Sequence, residues 1–368
     1  MTPSRTVVFF GTYDADNHPR IRVLMEGLVA RGVRVIEVNV PLAVPTERRI
    51  ELLRRPWLVP WFGARLLRNW IRLWRMAKQT EVADVVVVGY LGHLDVHLAH
   101  RLFRAPIVLD HLVGLADTAG DRDLAGRKWR RRLLRTIDRR ALDRADLVLH
   151  DTTEQLEAAA ELSSTPGVVV PVGAADRWFE SCAARRPGPL RVVFFGLYTP
   201  LQGAPHIGAA IAALDDRDDI AFTMIGHGQD LAQTRSAAGA NANVEWIDWV
   251  DAADLPAVVA CHDVCLGIFG TGTKAARVVP NKVYQGAAAG CAVVTSDSVP
   301  QRRAFDGAVD FVPPGKPAAL AARLAELASD RDELARRQAE AGRTAAERYR
   351  PDRVVDALLG PLESLVDG

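Results

Sequence analysis

Residues 190–226 read LRVVFFGLYTPLQGAPHIGAAIAALDDRDDIAFTMIG, and this one stretch spells a strand, a glycine turn, a helix and a second strand. The apolar run Leu190 to Phe195 is rich in β-branched and aromatic residues and closes on Gly196. A loop through Gly203 leads to a helical pattern over about His206 to Leu214, and the strand AFTMIG ends at Gly226. Such a β-α-β unit joins parallel strands.

The same phrase opens the chain. Thr6 to Phe10 form an apolar run closed by Gly11, a helical pattern runs from Ile21 to Arg31, and Gly32 turns the chain into a β-branched run, Val33 to Val40. Two beginnings imply two domains. Further buried strands are predicted at Asp84 to Val88, Pro106 to Leu109, Leu147 to His150 and Val168 to Val170, then at Val264 to Ile268 and Ala292 to Ser296. Helices are expected between them, among others near Pro280 to Ala289 and Pro317 to Ala328, so both halves read as doubly wound α/β. Arg177 to Pro189 breaks both periodicities and is the expected linker. A last helical stretch, about Arg353 to Val366, is expected to pack back on the first domain.

Length agrees with this division, because 368 residues exceed what one hydrophobic core usually organises. The 46 basic residues nearly cancel the 45 acidic ones, leaving a net charge of +1 and no whole-protein field to attract nucleic acid. Cys182, Cys261, Cys265 and Cys291 fall in apolar runs without the close pairing that zinc or a redox pair needs, and are expected to be reduced structural thiols. The start, MTPSRTVVFFG, lacks a signal-peptide pattern, and no stretch reaches a membrane span, so a cytoplasmic protein is expected.

Five phrases in order carry a family resemblance: VVVPVGAADRWF with Val172, Gly173 and Asp176; FFGLYTPLQG; MIGHGQ; NVEWIDWVDAADLPAVVACHDVCLGIF; and VPNKVYQGAAAGCAVVTSD. Together they resemble the GT-B glycosyltransferases, and within them the retaining family 4, also called group 1. The resemblance implies two Rossmann-like domains with a cleft between them. Residues 1–172 would bind the acceptor, residues 173–352 the nucleotide sugar, and residues 353–368 would form a C-terminal helix returning to the first domain. It implies sugar transfer, retaining and metal-independent, from a nucleotide diphosphate donor that is co-substrate rather than cofactor. The pattern also departs from the family. Leu197 and Gln202 stand where two cations are usual, and Arg277 and Gln285 stand where two glutamates are usual.

A departing nucleotide diphosphate gathers negative charge, which cations or oriented backbone N–H groups must meet. TGTKAARVVPNKVYQG supplies Lys274, Arg277 and Lys282, with Pro280 and Asn281 placed to start a helix whose N-terminus is an anion site. Asp14 with Asp16, and Asp121 with Asp123, make two Asp-x-Asp pairs, but neither follows a strand that would aim it, and no metal site is expected. Gln285, one turn after Lys282, can bond a ribose hydroxyl. The turn Gly11-Thr12-Tyr13 can approach phosphates or acceptor, with Tyr13 on the acceptor side, and Gly196, Tyr198 and Gly203 make the corresponding turn of the second half. Gly226, Gly228, Trp249 and Val250 resemble the family's base-binding wall, although a buried aromatic explains Trp249 equally well. His111, after the strand VLDH, resembles a histidine that touches the donor sugar and joins Lys282 and Arg277 as a catalytic candidate. His93, in GYLGHLDVHLAH, resembles an acceptor-side loop, with His97 and His100 on a helix face.

PWLVPWFGARLLRNWIRLWRMAK, residues 56–78, places Arg65, Arg68, Arg72 and Arg75 at helical spacing, with Trp61, Trp70 and Trp74 at other positions. This is either an interfacial helix that could rest on an anionic leaflet and reach a lipid-linked acceptor, or an ordinary domain helix. Arg127 to Arg144, with its interleaved leucines, suits a packed helix. Two other functions stay in view: a non-catalytic nucleotide-sugar-binding protein and a sugar-nucleotide epimerase of the same fold. A nicotinamide dehydrogenase is a distant fourth reading, since neither first turn shows the G-x-G-x-x-G fingerprint, and no Ser-His-Asp order suggests a covalent hydrolase.

Overall fold

A computed structural model describes residues 5–15, 18–42, 55–80, 82–121, 128–181 and 188–367. The chain divides into two compact units, residues 1–171 with 351–368, and residues 172–350.

The first unit is a six-stranded parallel sheet in the order β2-β1-β3-β4-β5-β6. Its strands are β1 Thr6–Gly11, β2 Arg34–Asn39, β3 Val85–Val88, β4 Ile107–Asp110, β5 Leu147–His150 and β6 Gly167–Val169. Its helices are α1 Pro19–Ala30, α2 Val59–Gln79, α3 Asp95–Leu102, α4 Leu115–Asp121, α5 Lys128–Leu142 and α6 Thr153–Ala160. Strands β1, β3, β4 and β5 are buried along their whole length, as strands covered on both faces must be, which is why they read as near-continuous apolar runs. Register follows directly, with Thr6 opposite Arg34 and Val7 opposite Val85.

The second unit repeats the plan in the order β12-β11-β10-β7-β8-β9. Its strands are β7 Leu190–Phe195, β8 Ile220–Ile225, β9 Val244–Ile247, β10 Val264–Leu266, β11 Ala292–Ser296 and β12 Asp310–Val312. Its helices are α7 Asp176–Glu180, α8 Ala204–Ala212, α9 Leu231–Ala238, α10 Leu255–Ala260, α11 Asn281–Ala288, α12 Val299–Phe305, α13 Pro317–Ser329 and α14 Arg331–Arg348. Edge strand β9 is only partly covered and β12 is three residues long, so neither gives the apolar run that marks a central strand.

The expected linker is corrected in part. Arg177 lies inside α7, whose Trp178 is fully buried and stacks on Phe195 at 5.8 Å, so the division falls earlier, after Pro171. Cys182 and the rest of residues 182–187 lie outside the described residues.

Helices α15 Pro351–Val354 and α16 Asp356–Asp367 belong to the first unit. They seat on α1 through Gly27, where a Cβ would come within 2.1 Å of the Pro351 carbonyl oxygen. Arg31 pairs with Asp356 at 2.5 Å and Arg5 with Asp367 at 3.2 Å. These ion pairs are half-exposed and modest; burial of Val354, Val355, Leu358 and Leu362 does more.

Helix α2 buries Leu66, Asn69 and Leu73 on one face. Two of its expected interfacial residues turn inward: Trp70 Nε1 donates to Asp95 at 2.7 Å, and Arg65 Nε donates to the Leu42 carbonyl at 2.8 Å. The opposite face stays open, with Leu67, Ile71 and Trp74 exposed at i, i+4 and i+7 beside exposed Arg68, Arg72 and Arg75. No helix among the described residues is long and apolar enough to cross a membrane.

Candidate functional site

In an open parallel sheet, ligands sit beyond the carboxyl ends of the strands where the strand order reverses. In the second unit that point lies between β7 and β10. Three loops meet there backbone to backbone. A Cβ on Gly203 would fall 2.3 Å from Phe269 C and Gly270 N, one on Gly226 2.0 Å from Gly196 O, and one on Gly228 2.5 Å from Tyr198 O. Gly203, Gly226 and Gly228 are therefore required for loop against loop. Gly196 differs, because a Cβ there would lie 3.3 Å from the Lys282 ammonium.

Lys282 occupies the second position of α11, whose N-cap is Pro280 in extended conformation. Its side chain is buried at 5% exposure, its Nζ donates to Gln202 Oε1 at 2.5 Å, and it lies 3.7 Å from the centre of the Phe194 ring. Burial pushes the ammonium down to about 7, with the nearby Cys265 thiol opposing slightly. Burial in turn pushes Cys265 up to about 12, so it remains an inert thiol. A buried cation whose partner is a neutral amide is electrostatically short of negative charge. Gln202, where the resemblance leads one to expect a lysine, is the residue that holds this cation in place.

Around this pair, Gln285 is buried one turn along α11, and Asn281 is half-buried at its start. Lys274 caps the short 3-10 turn Ala275–Arg277 on the loop leading to α11, and both Lys274 and Arg277 are half-buried. Beyond β9, Trp249 is 54% exposed against the ring of His227 at 5.6 Å, with Val250 half-buried beside it. The buried alternative for Trp249 thus fails, and an accessible aromatic face suits base stacking. Tyr198 is corrected the other way: its side chain is fully buried against Phe194, and only its backbone shapes the turn.

In the first unit the reversal lies between β1 and β3. The Gly11-Thr12-Tyr13 turn is fastened there by Asp95. Thr12 N and Oγ1 both donate to Asp95 Oδ2 at 2.7 Å, and a Cβ on Gly11 would approach that oxygen to 3.2 Å. The acceptor role expected of Tyr13 is corrected. Its ring is buried against Gly89, its hydroxyl donates to Glu37 at 2.9 Å, and burial and Glu37 raise its pKa far beyond the phenol range.

Histidines line the same end of the first sheet. The ring of His111 lies 5.2 Å from that of His93 and 5.6 Å from that of His150, and all three are buried. Burial and the two neighbouring imidazoles push His111 down to about 3, and burial and Arg20 push His150 down to about 4. Beneath them, Arg20 Nε pairs with Asp110 at 2.6 Å and Arg20 Nη1 donates to the Val170 carbonyl at 2.7 Å. Burial alone would raise Asp138; His93 and the N–H groups of Ala116 and Leu115 outweigh it and hold the carboxyl below its usual value. His97 is half-exposed and His100 exposed on α3, away from this row. Asp16 and Asp123 lie outside the described residues, so neither Asp-x-Asp pair is placed.

Sequence reasoning passed over Asp95, Asp138 and His227. Asp138 had one signal, as an acid among the arginines of RRRLLRTIDRR.

Residues 189–330 match the family model for Glycosyl transferases group 1. No curated protein matches the sequence. Among solved structures, sucrose-phosphate synthase from Thermosynechococcus elongatus superposes with a TM-score of 0.72 at 13% identity, covering 99% of both chains. Anabaena HepE in complex with UDP-glucose gives 0.64 at 13% identity, covering 98% of this chain and 99% of that one. An alpha,alpha-trehalose-phosphate synthase (UDP-forming) from Burkholderia vietnamiensis gives 0.65 at 14% identity, covering 98% and 100%. The fold is that of the GT-B glycosyltransferases, two Rossmann-like halves each built on a parallel sheet.

Proposed function

We propose that this chain transfers a hexosyl or related sugar from a nucleotide diphosphate, with a UDP-sugar as donor, to a lipid-linked acceptor. The observation that carries the reading is Lys282: a buried ammonium at a helix N-terminus, held by a neutral amide beneath a glycine turn. A pyrophosphate arriving there would supply the missing negative charge and restore full protonation to Lys282. The first-turn N–H groups of α11 add oriented dipoles, and Lys274 and Arg277 bring further positive charge to the same loop. Neutralisation of the leaving group then requires no metal. Gln285 would bond the ribose, and Trp249 would stack on the base.

Retention at the anomeric carbon follows the family resemblance. Residues 270–288 contain no carboxylate to serve as nucleophile, and attack from the leaving-group face uses the departing diphosphate itself as base. The UDP-glucose complex and the UDP-forming enzyme among the structural neighbours support the choice of donor. The lipid acceptor rests on the outer face of α2, where Leu67, Ile71 and Trp74 stand exposed beside three arginines.

The test is thermal protection by UDP and UDP-glucose, followed by product chromatography with Lys282→Ala in parallel. Protection of the native chain and its loss in the variant are expected. Absence of protection by any common nucleotide diphosphate overturns the reading. Donor cleavage separates an enzyme from a binding protein, and appearance of an epimerised donor would identify an epimerase.

A further inference from the structure

We propose that His93, His111 and Asp138 of the first unit bind a divalent transition metal of the zinc type. Each offers one ligand atom, and these atoms all lie within 4.8 Å of one another. Small side-chain rotations bring such a set onto one ion, since zinc takes imidazole nitrogen and carboxylate oxygen at roughly 2.0–2.2 Å. Two imidazoles and a carboxylate suit zinc and its first-row neighbours rather than magnesium or calcium.

The polar atoms are left waiting. His111 Nε2 is buried without a hydrogen-bond partner among the described residues, and neither nitrogen of His93 makes a well-aligned bond, although Nε2 lies 3.2 Å from Asp138 Oδ1. An unpaired buried nitrogen costs stability unless something fills it. A helix-capping role accounts for Asp138, which accepts from Leu115 N at 2.9 Å and Ala116 N at 3.1 Å, but leaves His111 unexplained. Those two bonds are also the outer support a ligating carboxylate needs.

The three ligands come from the loop after β3, the end of β4 and helix α5, so the ion would tie three elements at the carboxyl edge of the sheet. Three protein ligands leave a fourth position for water or a substrate oxygen. This inference concerns the first unit alone and is independent of the pyrophosphate reading.

The full-length chain is stripped with chelator, dialysed against Zn²⁺ or Co²⁺ and analysed for bound metal by elemental analysis. One equivalent per chain is expected, with tetrahedral-type visible absorption in the Co²⁺ form. His93→Gln and His111→Gln, which keep side-chain volume, should lower affinity by more than the roughly 10–100-fold that an outer partner costs. Asp138→Asn, which retains a capping oxygen, should do the same. His97→Ala with His100→Ala should retain the equivalent. A native chain that holds no metal overturns the proposal, as does a His93→Gln/His111→Gln double variant that binds as tightly as the native chain. The melting temperature of each metal-free variant shows that it has folded.

Discussion

The Lys282 ammonium donates to Gln202 Oε1 at 2.5 Å, joining the first turn of α11 to the loop after β7 through a charged donor and an uncharged acceptor. The amide positions the lysine without neutralising it. A carboxylate at position 202 would neutralise it in advance.

Gln202→Glu should therefore weaken binding of UDP and of the donor. An internal charge-assisted bond of about 1.5–3 kcal/mol competing with the phosphates predicts a loss of roughly 10–100-fold, read by calorimetry or donor KM. Unchanged affinity would mean that the pyrophosphate does not meet Lys282.

The depressed Lys282 value makes two pH effects. Because the folded chain binds this proton less tightly than the unfolded chain, stability should rise with pH between about 7 and the ordinary value of 10.5, by at most about 1.4 kcal/mol per pH unit. Below that window both states are protonated and the cost is complete; above it neither is. Lys282→Met should abolish this part of the slope in denaturant midpoints. Donor affinity should run the opposite way, falling by up to about tenfold per unit as pH rises above about 7, because the phosphates require the ammonium form. A flat KM profile between pH 7 and 9 would contradict this.

Gly27 allows the Pro351 carbonyl to sit directly on α1, since an added Cβ would stand 2.1 Å from that oxygen. Gly27→Val should cost about 1–3 kcal/mol through overpacking and should expose α15 and α16 to protease. Equal stability and an undigested C-terminus would show that the helices seat by other contacts.

Exposed Leu67, Ile71 and Trp74 on α2 should bind vesicles of anionic phospholipid. Replacing all three with serine should abolish co-sedimentation while leaving UDP protection intact. Added salt should weaken native binding, because Arg68, Arg72 and Arg75 each contribute about 1 kcal/mol near a charged surface. Full binding by the triple variant would remove α2 from the interface.

The central strands were legible because burial on both faces favours near-continuous apolar runs: Leu147–His150 and Ala292–Ser296 have their expected bounds. Edge strand β9 escaped because only part of its surface is covered. Lys282, Arg277 and Lys274 could be picked out as cations on a glycine loop at a helix start. That Lys282 is buried, and that Gln202 holds it across eighty residues of chain, could not.

Local chemistry alone fixed the succession of strands, glycine turns and helices, because apolar run length, β-branching and left-handed glycines act over a few residues. Burial of particular polar groups belongs to tertiary packing. Tyr13 and Tyr198 became interior, Trp249 became accessible, and His93, His111 and Asp138 converged from three separate segments. Desolvation depends on which distant surfaces close over a side chain, and that is a property of three-dimensional neighbours rather than of sequence spacing.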